Sequence, residues 1–424
     1  MKLLLLYIFS SIIFTQNINF DSSNSFGYKV INGERYNKGD LQFLEDLMTR
    51  SDEKNLMVDP LSLGVQKWEN GRLVEFCISS SFPAECKSDI YLSGFLPESI
   101  GNLDKIKKFR VPSNHLKGEV PDVIVNLSEL TYLDLADNWF LGDIEWIGSL
   151  TKLRKLSLNS NKLSGSLPES ISNCVNLTWM YISENQFTGS LPNSISNLKN
   201  LEYFNIASNT FEGPIPSGLG ELSELQYLNF SDNIFSGELP ESIGLLPGIY
   251  RIYLNDNRFE GSIPESFTKL NKLVAFRVEN NKLTGNIPEN IGGMSSLKEF
   301  NAQGNSLTGS IQLSFGNMIK LKKLNLVGNK ISGKIPYELV YIEALESLSL
   351  NGNQLSGEIP YDLFLMPNLK ELYLQENQLS GTLPSVMCQN FDQFEQFGIW
   401  DNFICPPYPE CIKYTNQTST EGCR

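Results

Sequence analysis

The 424-residue sequence predicts an α/β solenoid of about 13 coils of 24 residues, closed by a cap at each end. Three features predict it. Asparagine recurs from Asn114, Asn138 and Asn161 to Asn377 and Asn402, and ten of the twelve steps are 24 residues long. Glycine stands four residues after each asparagine but the last, from Gly118 to Gly381, and proline usually stands seven after, as at Pro168 and Pro384. Glu145 and Gln312 break the proline column. Ahead of each asparagine runs a short apolar alternation, such as Leu345, Leu348 and Leu350, which is the period of a strand.

Each column has a physical task. A buried turn must pair its backbone donors and acceptors, and an asparagine amide offers both kinds of group. Stacked asparagines therefore form a ladder that joins one coil to the next. Glycine permits a backbone geometry barred to other residues, and proline fixes φ without requiring an acceptor. One coil cannot bury its own leucines, but neighbours can. At ~4.8 Å per strand, such a stack is roughly 60 Å long.

Taken in chain order, residues 1–17 read as a secretory signal. Lys2 precedes an apolar run over 3–14, too short for the ~20 residues a spanning helix needs. No later apolar stretch has spanning length, so a secreted, extracellular chain without a transmembrane segment is expected. Residues 18–96 form the N-terminal cap. It contains a helix over 40–50 with Asp40 as N-cap and Leu41, Leu44, Leu47 and Met48 on its apolar face. Trp68 follows, then Cys77 and Cys86, expected to pair, and Ile90 where the first ladder asparagine would stand. Repeats fill 97–387, and 388–424 hold the last coil and a cysteine-rich cap. There Cys388, Cys405, Cys411 and Cys423 allow three disulfide connectivities. Cys174 stands alone and is expected to be a small buried hydrophobe, and His115 a surface residue.

The run Asn161-Lys-Leu-Ser-Gly-Ser-Leu-Pro-Glu-Ser-Ile resembles the plant-type extracellular leucine-rich repeat. So do Asn281-Lys-Leu-Thr-Gly-Asn-Ile-Pro and Asn353-Gln-Leu-Ser-Gly-Glu-Ile-Pro. The resemblance covers residues 91–404. Its family includes receptor-kinase ectodomains, receptor-like proteins and polygalacturonase-inhibiting proteins, and no kinase domain follows in this sequence. The resemblance implies a right-handed superhelix with a parallel sheet on its concave face. It also implies a second short strand at the Leu-Ser-Gly-x-Ile-Pro segment, and binding of a protein, peptide or glycan on the concave or lateral face.

The outward strand positions lie six, four and two residues before each ladder asparagine. Aromatics and arginines gather there: Tyr132, Trp179, Tyr181, Tyr203, Tyr227, Arg251, Tyr253 and Arg277. Such residues dominate interface hot spots, which makes them candidate ligand-binding residues. The plainer alternative is cross-strand stacking for stability. Asn126, Asn176, Asn229 and Asn416 open glycosylation sequons, but a glycan on Asn229 would obstruct the aromatic run.

The net charge of -14 disfavours nucleic acid and anionic membranes. One histidine and no metal-ligand spacing leave no catalytic constellation, so neither an enzyme nor a metal or cofactor is expected. The expected function is extracellular recognition on the concave face. The alternative is a structural or adhesive protein of a cell surface or matrix.

Overall fold

The structure is a computed structural model and describes residues 27–51, 58–81, 83–86 and 88–412. The expected signal segment, Asn416 and Cys423 lie outside the described residues. The chain opens with an antiparallel hairpin of β1 (Tyr28–Ile31) and β2 (Glu34–Asn37), followed by α1 (Lys38–Thr49).

The cap of α1 is Asn37, not Asp40. The Asn37 side chain accepts from the N–H groups of Gly39 (2.9 Å) and Asp40 (3.2 Å). Asp40 has a different task. Its fully buried carboxylate accepts from Arg72 Nε and Nη2, both at 2.9 Å, and from the Leu73 N–H at 2.8 Å. A carboxylate stripped of water needs such partners, and here they tie the helix to the strand Arg72–Cys77 of the main sheet. Leu41, Leu44 and Leu47 are buried as expected, and Phe43 joins them.

Strands β3 (Val65–Glu69) and β4 (Arg72–Cys77) pair antiparallel, and β4 then pairs in parallel with Lys108–Arg110. From there one three-residue strand per coil extends a 15-stranded sheet to Gln396–Gly398. The middle residue of each strand, such as Met180, Phe204 or Leu228, points into the core. Behind it, Phe187, Phe211, Phe235 and Phe259 stack at 6.0–6.1 Å between ring centres.

The ladder operates through both ends of the amide. Asn209 Oδ1 accepts from the Phe187 N–H of the preceding coil at 3.0 Å. Its Nδ2 donates to Ile182 O of that coil at 3.1 Å and to Ile206 O and Ala207 O of its own. The twelve column glycines all have φ between 70° and 89°, the left-handed region where a Cβ is disfavoured. The proline column supplies the N-caps of short 3-10 helices, such as Pro168 before Glu169–Asn173, and these form the convex returns. Among the described residues α1 is the single α-helix.

The second strand is present, but its sheet is split. Eight strands run from Ser93–Phe95 to Arg258–Glu260, and four resume from Ser332–Gly333 to Phe403–Cys405. The coils between them share only an isolated bridge, Asn286 to Thr308. Lys282 and Thr284 still donate to Phe259 O and Gly261 O, so strand geometry is interrupted while cross-coil hydrogen bonding persists.

Cys77 and Cys86 are disulfide-bonded, as are Cys388 and Cys411. Cys405 is also in a disulfide. Cys174 is free and buried, and its thiol donates to Ile147 O.

Candidate ligand-binding face

The candidate residues stand on the outward side of the main sheet because strand side chains alternate and the leucine and phenylalanine between them take the core. Register then aligns them across coils. Tyr132, Lys155, Trp179, Tyr203, Tyr227 and Arg251 are successive partners in one row. Tyr181, Asn205, Asn229, Tyr253 and Arg277 are partners in the next.

The rings touch. Trp179 lies 5.8 Å from Tyr181 and 4.9 Å from Tyr203, Tyr203 lies 6.5 Å from Tyr227, and Tyr227 meets Tyr253 edge-on at 5.8 Å. The sequence predicts an exposed patch, but these rings are half-buried, because each covers part of its neighbour. That mutual cover appears in their acidity. Burial pushes the Tyr181 hydroxyl up to about 12, with neighbouring tyrosines adding to it, and raises Tyr203 and Tyr227. Tyr132 is also pushed up to about 12, by burial and then by the charge of Asp134.

Cations close both ends of the run. Lys155 Nζ stands 4.2 Å from the Trp179 ring centre and 5.7 Å from that of Tyr132, linking the two rings. Arg277 lies 5.1 Å over Tyr253, but Glu299 holds its guanidinium at 2.9 Å, so its charge is already paired. Arg251 is exposed and, with exposed Arg154 at the same edge, has no carboxylate partner among the described residues. At the other end of each strand the residue before the ladder asparagine is often acidic, as at Asp137, Glu184, Asp232 and Asp256, all exposed. The aromatic run therefore lies between a mixed edge, with Arg154, Glu202 and Arg251, and an anionic one.

Sequence reasoning left Lys155 and Tyr250 off the candidate list. Lys155 stands in the outward column and is marked by its aromatic neighbours on both sides. Tyr250 precedes its strand, outside the outward columns, yet its ring lies 5.5 Å from the Arg251 guanidinium and its hydroxyl helps to raise that of Tyr203. Asn229 lies within the face: its Nδ2 donates to the Tyr227 hydroxyl at 3.2 Å, and its Oδ1 accepts from the Ser231 N–H. Asn126 is exposed on a convex return, and Asn176 donates to Thr151 O. His115 is exposed but not isolated, since it stacks flat on Trp139 at 4.9 Å. No group of three or more metal-ligating side chains occurs among the described residues.

The family model described as Leucine Rich Repeat matches residues 152–174, 176–198, 200–222, 224–246, 249–270, 320–341, 344–366 and 368–390. Among solved structures, the TDR receptor is 30% identical with a TM-score of 0.67, over 74% of this chain and 59% of that one. The Arabidopsis receptor kinase HAESA, solved with the peptide hormone IDA and the co-receptor SERK1, is 29% identical with a TM-score of 0.60, over 75% and 62%. A Leptospira interrogans leucine-rich-repeat protein is 27% identical with a TM-score of 0.54, over 74% and 88%. The chain thus spans less than two thirds of the length of both receptors. Among curated proteins, none matches the sequence. The chain is a leucine-rich-repeat protein, and its repeats are of the kind carried by plant extracellular receptors. Among the described residues no helix is long and apolar enough to cross a membrane.

Proposed function

We propose that this chain is a secreted recognition module whose concave face binds an extracellular polypeptide through the aromatic run from Trp179 to Tyr253. The supporting observation is the arrangement of that run. Contiguous rings of low conformational entropy lie between cations at Arg154 and Arg251, with Glu202 in the row of Arg154, and carboxylates at Asp232 and Asp256, the latter accepting from Asn255 and Asn280. A polypeptide carries both charges and apolar groups, whereas a neutral glycan would leave both edges unused. HAESA was solved with a peptide hormone, which is in keeping with this class of ligand. The sequons at Asn126 and Asn176 are assigned as glycan sites that leave the concave face open, and Asn229 as unmodified.

The half-buried rings favour a second reading, in which the run stabilises the sheet of a structural or adhesive protein. The two readings part experimentally. Displayed peptides, secreted proteins and a glycan array are tested against the wild-type chain and the Trp179→Ala/Tyr203→Ala variant. Binding of a polypeptide that the variant loses, with its folding intact, supports recognition. A variant that unfolds, and a wild-type chain that binds nothing, support the structural reading.

A further inference from the structure

A repeat protein carries its own internal control, because each position can be compared across coils. The residue that opens each convex return is polar in nine coils from Glu98 to Glu289, and in seven of them it is a carboxylate. In the next three coils it becomes Leu313, Tyr337 and Tyr361, and then reverts to Ser385. These three side chains are 63%, 49% and 53% exposed. They open consecutive 3-10 helices, Leu313–Asn317, Tyr337–Tyr341 and Tyr361–Leu365.

Neighbouring columns change in the same coils. Tyr341, 59% exposed, meets Tyr337 edge-on at 5.7 Å, and Ile319, 64% exposed, follows the helix of Leu313. The carboxylate of Asp362, beside Tyr361, lifts the Tyr337 hydroxyl above its ordinary value, which marks the second and third coils of the patch as neighbours. Nothing in the core requires these residues, since the nine preceding coils fold with polar groups at the opening position.

We infer that this convex patch is where a second copy of the chain docks. Area supports that occupant, and charge restricts where on the convex face it can sit. Two copies each carrying -14 repel one another, and along most of the convex column they would set carboxylate against carboxylate. In the patch that column is apolar, and the carboxylates beside it are Glu338 and Asp362, both partly covered. Five large side chains at these exposures leave on the order of 500 Å² uncovered. Two patches face to face would bury on the order of 1,000 Å², the lower bound for a specific interface.

A two-fold axis through Tyr337 sets Leu313 against the partner's Tyr361. It also sets Glu289 against the partner's Ser385, while Glu338, beside the axis, comes next to its own copy, a repulsion that the apolar contact has to exceed. The dimer strengthens with salt, because screening removes the net repulsion while the apolar contact remains.

Sedimentation velocity on the full secreted chain, over a concentration series at low salt and at about 0.5 M salt, tests this. The wild type is expected to be in monomer–dimer exchange, shifted towards dimer at high salt. Tyr337→Glu/Tyr361→Glu and, separately, Leu313→Lys should weaken the dimer more than about tenfold with unchanged circular dichroism. Leu245→Glu, at an exposed leucine outside the patch, should not. Tyr337→Cys should form a disulfide-linked dimer on mild oxidation. A wild-type chain that stays monomeric throughout would overturn the inference and leave the patch to a different partner. A dimer indifferent to both patch variants would overturn it as well.

Discussion

At the residue scale, the ladder asparagines and the concave tyrosines obey the same rule: a polar group is kept out of water only with partners. Asn209 satisfies the Phe187 N–H and three carbonyls in two coils. Asn209→Ala leaves that N–H buried and unpaired and should cost about 2–3 kcal/mol, seen as an earlier urea midpoint. Tyr181 shows the converse, a hydroxyl kept neutral by burial. Its folded pKa, pushed up to about 12, lies above the ordinary value of 10, so the folded state holds the proton longer. The stability it contributes is fully present below pH 10 and is lost as pH rises through about 12. An ultraviolet phenolate titration should show that Tyr181→Phe removes a component near 12; removal of one near 10 would contradict this. The ladder was legible in the sequence because its spacing is covalent. The half-burial of the rings was not, because it depends on how far each neighbour leans across.

At the scale of elements, strands and returns followed from period and punctuation, whereas the caps did not. Asp40 satisfies the sequence rule for an N-cap, and so does Asn37 three residues earlier. What decides between them is Arg72, 32 residues away, which claims the Asp40 carboxylate. Local rules cannot see such a partner. Asp40→Ala should destabilise the chain by about 3 kcal/mol, since it leaves the Arg72 guanidinium short of its buried counter-charge. Asn37→Ala should cost only about 1 kcal/mol. Denaturation of both variants checks the ranking, and equal losses would contradict the assignment. The split of the second sheet was also hidden. The Asn281 and Asn305 coils keep the asparagine and glycine columns, and no change in them marks where strand geometry stops.

At the scale of the whole molecule, a stack of near-identical coils has no single cleft, so function is written as departures from the repeat. Two such departures stand out. The concave run from Trp179 to Tyr253 was legible because those outward positions are read directly from the ladder, although its flanking cations needed the folded register. The convex patch of Leu313, Tyr337 and Tyr361 emerges once the returns are aligned coil by coil and their exposure is known. The two lie on different faces, so a concave ligand and a second copy can be held together, and variants of one face should leave the other's binding unchanged. The most direct test is the affinity for a ligand recovered on the wild-type chain, measured by calorimetry across variants of known fold. Trp179→Ala/Tyr203→Ala is expected to weaken binding more than about tenfold while the melting temperature holds, and Tyr337→Ser to leave it unchanged. Full affinity in the concave variant, with loss in a lateral or convex one, would contradict the concave site.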